Sequence, residues 1–166
     1  MRILFIYASI VLSSLQGVAN ASVPRSQACQ HQANEFRCVR YLSNYDGDTI
    51  TFQIDGVHPL LGDKIPIRLS GVDTPELKSK QRCEKELARW AKRFVRAQMR
   101  QASTIKLSEV KRGKYFRVVA KVDFDGKDLG DLLLKNGLAV PYDGGKKSKV
   151  NWCKKLAMRS SSSARR

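Results

Sequence analysis

The sequence predicts a mainly β domain with helices (α+β): a five-stranded Greek-key barrel with one helix between strands 3 and 4 and a short helix after strand 5. Three observations predict it. Five segments alternate apolar with polar residues or concentrate β-branched ones, and Asn, Asp and Gly turn signals separate them. One stretch, residues 83–102, switches to helical period. The resulting order is three strands, a helix, two strands and a closing helix, which is that of an OB-type barrel.

The elements follow in order. Residues 37–43 read as a first strand, ended by the turn signal Asn44-Tyr45-Asp46-Gly47. Residues 48–54 alternate and carry Thr49, Ile50, Thr51, Phe52 and Ile54, a second strand. Asp55-Gly56 turns the chain, and 64–69 completes a meander. In 83–102, at 100° per residue, Leu87, Trp90, Ala91 and Phe94 fall on one face. Lys85, Arg89, Lys92, Arg93, Arg96 and Arg100 fall on the other, a basic face that reads as solvated and steering at long range. Residues 103–110 and 115–124 are strands four and five, joined by Lys111-Arg112-Gly113-Lys114. Residues 128–135 form a short helix with Asn136-Gly137 as its C-cap pair. A last extended piece covers 138–142.

Outside this core the chain divides by composition. Arg2, the apolar run 3–12 and Ala19-Asn20-Ala21 have the order of a secretory signal peptide, which assigns 1–21 to a leader. Residues 22–36 form an N-terminal extension and 37–145 the barrel domain. Residues 146–166 form a basic tail, partly disordered from Ser160. No other segment is long and apolar enough to cross a bilayer, so stable membrane insertion after cleavage is not expected.

Charge bounds the partners. Lys and Arg number 31 against 15 acids; removing the leader takes one Arg and no acid, leaving +15. A domain this basic is expected to meet a polyanion: nucleic acid, anionic lipid or acidic polysaccharide. All four cysteines, Cys29, Cys38, Cys83 and Cys153, follow the leader, which suggests two disulfides in an oxidising compartment, periplasmic or extracellular. Three connectivities are possible. Cys29–Cys38, closing a short loop, and Cys83–Cys153, tying the tail to the body, are favoured. No C-x-x-C pair occurs, which argues against zinc and thioredoxin-like chemistry.

Three segments carry chemistry. In Ile67-Arg68-Leu69-Ser70-Gly71-Val72-Asp73-Thr74-Pro75-Glu76, a guanidinium that can clamp a phosphate stands close to two carboxylates. Asp73 suits a hard cation and Glu76 can take a proton from water. Tyr45-Asp46-Gly47-Asp48-Thr49 adds Asp48 at a strand edge. Alone it is an ordinary polar turn, and it fails as an EF-hand because Ile50 stands where a third ligand belongs. Lys114-Tyr115-Phe116-Arg117 adds a second arginine. Phosphodiester cleavage needs charge neutralised on the phosphoryl oxygens and a water activated in line, and this combination of residue types can supply both.

In this order, Tyr-Asp-Gly-Asp-Thr, Arg-Leu-x-Gly-Val-Asp-Thr-Pro-Glu, Lys-Tyr-x-Arg and Asn-Gly-Leu-Ala resemble the staphylococcal nuclease, or thermonuclease, family from about Arg40 to Tyr142. The resemblance implies an OB-fold, calcium-dependent nuclease cutting DNA and RNA and leaving 3′-phosphate products. It implies Asp48 and Asp73 as carboxylate ligands of Ca2+, with Thr74 giving a backbone carbonyl. Arg68 and Arg117 become the phosphate-binding arginines and Glu76 the group that activates water. Asp46 becomes a supporting acid, and Lys114, Tyr115 and Tyr142 become nucleotide contacts.

Two departures stand out. Phe116 replaces a usual glycine; on a strand it would point away from Arg117 and pack. A long C-terminal helix is also missing from the expected pattern, with Cys153 stapling the tail instead. The expectation is a monomeric, secreted or periplasmic endonuclease of the hydrolase class. A catalytically silent OB-fold that only binds nucleic acid is the alternative. A binder of anionic envelope polymers accounts for the charge but not for acids standing among so many bases.

Overall fold

A computed structural model describes residues 29–163, with side chains through Arg159. The signal-peptide assignment, residues 22–28 of the N-terminal extension and the last three residues lie outside the described residues.

The five main strands are β1 (Val39–Asn44), β2 (Thr49–Ile54), β3 (Ile65–Leu69), β5 (Ile105–Arg112) and β6 (Val118–Phe124). They hydrogen-bond in the order β1-β2-β3-β6-β5. The first three form the expected antiparallel meander, with Thr49 opposite Arg68. β6 then returns beside β3 in parallel, Arg68 opposite Val119. This is the OB strand order in an α+β domain. Among the described residues no continuous ladder joins β1 to β5. The ends meet through the single bridge Phe36–Leu107, just ahead of β1. A cleft of about 410 Å3 lined by Val39 to Leu42, Met99, Arg100 and Ile105 lies between them.

Alternation decides what each strand buries. In β2, Ile50, Phe52 and Ile54 point inward and the residues between them do not. With Ile67, Leu69, Leu107, Ala120 and Val122 they form one core. Each large side chain among them contributes roughly 1.5–3 kcal/mol on burial. Helix α2 (Arg82–Gln101) closes this core with Leu87, Ala88, Ala91, Val95 and Met99. Trp90 and Phe94, expected on that face, sit at its partly buried margin.

Short elements that periodicity does not reveal complete the fold: α1 (Pro59–Gly62), β4 (Val72–Asp73), β7 (Lys127–Asp128) and β8 (Val140–Pro141). Helix α3 (Leu129–Lys135) begins where Asp128 accepts from Asp131 N at 2.8 Å. It ends at Asn136-Gly137, as expected, with Leu138 N donating to Leu133 O at 2.9 Å.

The tail departs from expectation. In place of an irregular segment it forms helix α4 (Trp152–Ser163). Trp152 is buried in the core cluster, the Arg159 guanidinium lies 5.2 Å from the Trp90 ring centroid, and Arg159 also donates to the Asn136 carbonyl. Composition hid this helix because its anchors, Trp152 and Cys153, are specified by partners far away in sequence. Cys29 and Cys38 stand 5.5 Å apart between Cα atoms, and Cys83 and Cys153 5.1 Å apart, both within disulfide range and in the favoured pattern. Among the described residues no helix is long and apolar enough to cross a membrane.

Candidate active site

The site is built where the β1–β2 turn, the end of β3 and β4 converge. Asp46 makes the turn: its Oδ1 accepts from Asp48 N at 3.0 Å and Thr49 N at 2.7 Å. Burial pushes the Asp46 carboxyl above its ordinary pKa, and the Thr49 amide and the Arg68 charge offset this only in part. Asn44 pins the turn from outside, donating to Asp46 O at 2.6 Å and to Lys92 O on α2 at 3.1 Å. Gly47 is required by closeness: a Cβ there would lie 2.8 Å from Ala91 Cβ and 2.9 Å from Thr74 Cγ2. Any side chain would push the turn off α2 and carry Asp48 away from Thr74.

Asp48 is therefore held from several sides. Its carbonyl accepts from Leu69 N at 2.8 Å, which fixes it to the end of β3. Its Oδ2 accepts from Thr74 N at 2.9 Å and from Thr74 Oγ1 at 2.7 Å. Arg68 lies between the two aspartates. It ion-pairs with Asp48, donates to Asp73 Oδ1 at 3.1 Å and to Val72 O at 3.2 Å. All three side chains are largely buried, with relative exposures of 12% for Arg68, 6% for Asp48 and 11% for Asp73.

Glu76 follows β4 and is more exposed. Its position is set by backbone: Glu76 N donates to the Glu84 carboxylate at 3.2 Å, and the same carboxylate accepts from Ser79 Oγ at 2.6 Å. Glu84 sits in the first turn of α2, where its charge is favoured by the helix dipole. The loop carrying Glu76 is thus tied to a helix rather than left to itself.

A residue that the motifs did not reveal enters from the C-terminal side. Lys147 Nζ lies 2.9 Å from Asp73 Oδ1 and 2.7 Å from Glu76 Oε1. Burial works against its charge, but the two carboxylates overrule this and hold its pKa above the ordinary lysine value, so it remains an ammonium. The chain reaches this place because β8 pairs with β4, Asp73 opposite Val140. It then turns at Gly144, whose φ of +92° suits glycine, and is anchored again at Cys153 beside α2. Nothing in the spacing of a basic tail announces Lys147. Glu84 left a faint trace, an acid in the first turn of a helix just after a serine.

The other residues singled out in the sequence lie around this cluster rather than in it. Tyr142 is close: its N donates to Gly71 O at 3.0 Å, beside β4, while its hydroxyl donates to Gly145 O at 3.0 Å. Arg117 immediately precedes β6, where Val118 faces Ile67, and its side chain is exposed. Lys114 and Tyr115 are also exposed, in a 3-10 turn at Lys114–Phe116. That turn corrects the expectation for Phe116. It is not on a strand and does not pack; it is 81% exposed, and the Arg112 guanidinium lies 5.5 Å from its ring centroid. Its φ is +58°, the left-handed region that favours glycine and disfavours side chains. The usual glycine thus has a backbone reason, which Phe116 forgoes at a cost in strain.

The family profile described as "Staphylococcal nuclease homologue" matches residues 66–165, more than half of the chain and the part that carries Arg68, Asp73 and Glu76. The chain belongs to the staphylococcal nuclease homologue family. A probable endonuclease of Schizosaccharomyces pombe is 33% identical over 92 residues. That match covers 51% of this chain and 40% of the yeast protein, so the chain spans less than half of that relative's length.

The donor set around Arg68 suits a hard cation in type: two aspartates and a threonine hydroxyl, with no sulfur or imidazole. Among the described residues, however, no three acidic, histidine or cysteine side chains are gathered as a metal cluster. The negative charge of Asp48, Asp73 and Glu76 is met instead by two cationic side chains, Arg68 and Lys147. A staphylococcal nuclease homologue with this arrangement has a guanidinium, two largely buried aspartates and a more exposed glutamate within one small region.

Proposed function

We propose that this chain is a secreted, calcium-dependent nuclease. It hydrolyses phosphodiester bonds of DNA and RNA with little sequence preference, as a monomer, and leaves 3′-phosphate ends. The observation that carries the reading is Arg68 set between Asp48 and Asp73, with Thr74 closing on Asp48 and Glu76 tied to the same cluster through Lys147. Family membership supports hydrolysis, and the relative named as a probable endonuclease supports internal cutting. The cysteine pairs and the leader-like start support export.

In this mechanism Asp48, Asp73 and the Thr74 carbonyl are the residues that would hold calcium, and the ion would supply Lewis-acid polarisation of the phosphate. Arg68 and Arg117 grip the phosphoryl oxygens in forked hydrogen bonds and neutralise the charge that develops there. Glu76 accepts the proton of the attacking water. Lys114, Tyr115 and Tyr142 contact the nucleotides on either side, and Asp46 supports the turn that presents Asp48.

The test is cleavage of DNA and RNA with calcium, with magnesium and with chelator. Cleavage in calcium that stops in chelator and returns on calcium addition is the expected result. Full activity in chelator contradicts the metal assignment, and binding without cleavage under every condition points to the silent binder. Lys147 offers a separate check. Its ammonium competes with any divalent cation for Asp73, so Lys147→Met is expected to tighten calcium binding about two- to fivefold, the size of one partly exposed ion pair. Calorimetric titration of the protein without substrate reads this directly; unchanged or weaker binding removes the competition.

A further inference from the structure

Helix α2 carries more positive charge than the fold or the candidate site uses. At 100° per residue, Arg82, Lys85, Arg89, Lys92, Arg93, Arg96 and Arg100 fall within about 100° of arc along about 27 Å of axis. Five of the seven, Arg82, Arg89, Arg93, Arg96 and Arg100, are exposed, and Lys85 and Lys92 are partly so. The opposite face is the buried one, with Leu87, Ala88, Ala91, Val95 and Met99 in the core, so the helix cannot turn this stripe away from solvent.

Several cations elsewhere in the domain are paired. Arg37 and Lys106 meet Glu35, Arg40 meets Asp55, and Lys121 meets Glu109. Among the described residues none of the seven on α2 has an acid within ion-pair distance. The stripe also repels itself. Lys85/Arg89, Arg89/Arg93, Lys92/Arg96 and Arg96/Arg100 are like-charge pairs four residues apart, each costing roughly 0.2–0.5 kcal/mol. Helix stability therefore does not account for it, whereas an external polyanion would offset the repulsion.

We infer that this face of α2 is a second nucleic-acid surface, which binds the phosphate backbone away from the scissile bond. Guanidinium groups dominate the stripe, and they match phosphate in forked geometry. About 27 Å of duplex axis presents roughly eight phosphates per strand, enough to meet the whole row. No aromatic ring belongs to the stripe, so it reads backbone and not bases. A bilayer surface fits less well: an interfacial helix inserts its apolar face, and that of α2 is occupied by the core. The row begins next to the candidate site, since Glu84, between Cys83 and Lys85, holds the Glu76 amide. The choice of nucleic acid rests on the nuclease reading, while the binding surface itself does not require turnover.

The test uses Arg89→Gln, Arg93→Gln, Arg96→Gln and Arg100→Gln together, because glutamine keeps helix propensity. Affinity for a 30-base-pair duplex is measured in chelator, without hydrolysis, across a salt series. Loss of four phosphate contacts is expected to make the slope of log affinity against log salt shallower by about 3.6. Cleavage of a tetranucleotide should stay within about twofold of the parent, since so short a substrate does not reach the row. If the quadruple variant fails to fold, Arg96→Gln with Arg100→Gln should reduce the slope by about 1.8. An unchanged slope in a folded variant overturns the inference, as does a loss confined to binding of phosphatidylglycerol vesicles. A shallower slope in a protein that cleaves nothing leaves the surface standing and sinks the nuclease reading instead.

Discussion

Arg68→Ala is expected to lower the cleavage rate per folded molecule by about 10²–10³, the usual loss when one pre-placed donor to a developing oxyanion is removed. A second effect comes from where this arginine sits. Asp48 and Asp73 are nearly buried, and Arg68 is the cation between them. Without it their charges face one another with only Lys147 nearby, and breaking a buried ion pair from one side costs about 3–5 kcal/mol. The variant should therefore also melt at a lower temperature. The rate must be measured well below that transition, so that lost fold is not counted as lost chemistry. Arg68→Lys separates the two effects: it keeps a positive charge among the aspartates but not the planar fork. Thermal stability should largely return while the rate stays low. Full cleavage by the lysine variant would remove Arg68 from the role of phosphate clamp.

Glu76→Gln is expected to reduce the maximal rate by about 10²–10⁴, the range for loss of a general base, and to leave folding intact. The side chain is 57% exposed and its backbone amide, not its carboxylate, bonds Glu84. The substitution thus removes a charge without opening the core. Duplex affinity in chelator should change little. A melting curve that overlays the parent, combined with a large loss of rate at saturating substrate, is the combined signature. A variant that retains the parental rate shows that water is activated elsewhere.

Some of this domain is plain in its sequence and some is not, for reasons that differ by element. Strand β2 is legible because its buried positions, Ile50, Phe52 and Ile54, are set by a period of two, which is local. Helix α2 is legible to within a residue at each end for the same kind of reason. The turn at Phe116 is not, because a residue type common in strands occupies a left-handed position in the 3-10 turn between β5 and β6. Helix α4 is hidden because its Ser-rich composition favours no state by itself and its packing partners, Trp90 and Cys83, are some 70 residues away. The two-residue pair of β4 and β8 is too short to show any period, yet it is what sets Tyr142 and the Lys147 loop beside Asp73.

By itself the sequence determined the order of the five main strands and of helices α2 and α3, the basic character and the family signature, with Arg68, Asp73 and Glu76 on one short segment. Those properties are local or additive, carried by residue type and spacing. Only the tertiary structure decided which charges meet. It brought Asp48 across to Thr74, closed Arg68 between two aspartates and drew Lys147 from the tail onto Asp73 and Glu76. Ion pairs of this kind depend on distances of a few ångströms between segments far apart in the chain, and only the packing of β2, β3, β4 and β8 fixes those distances.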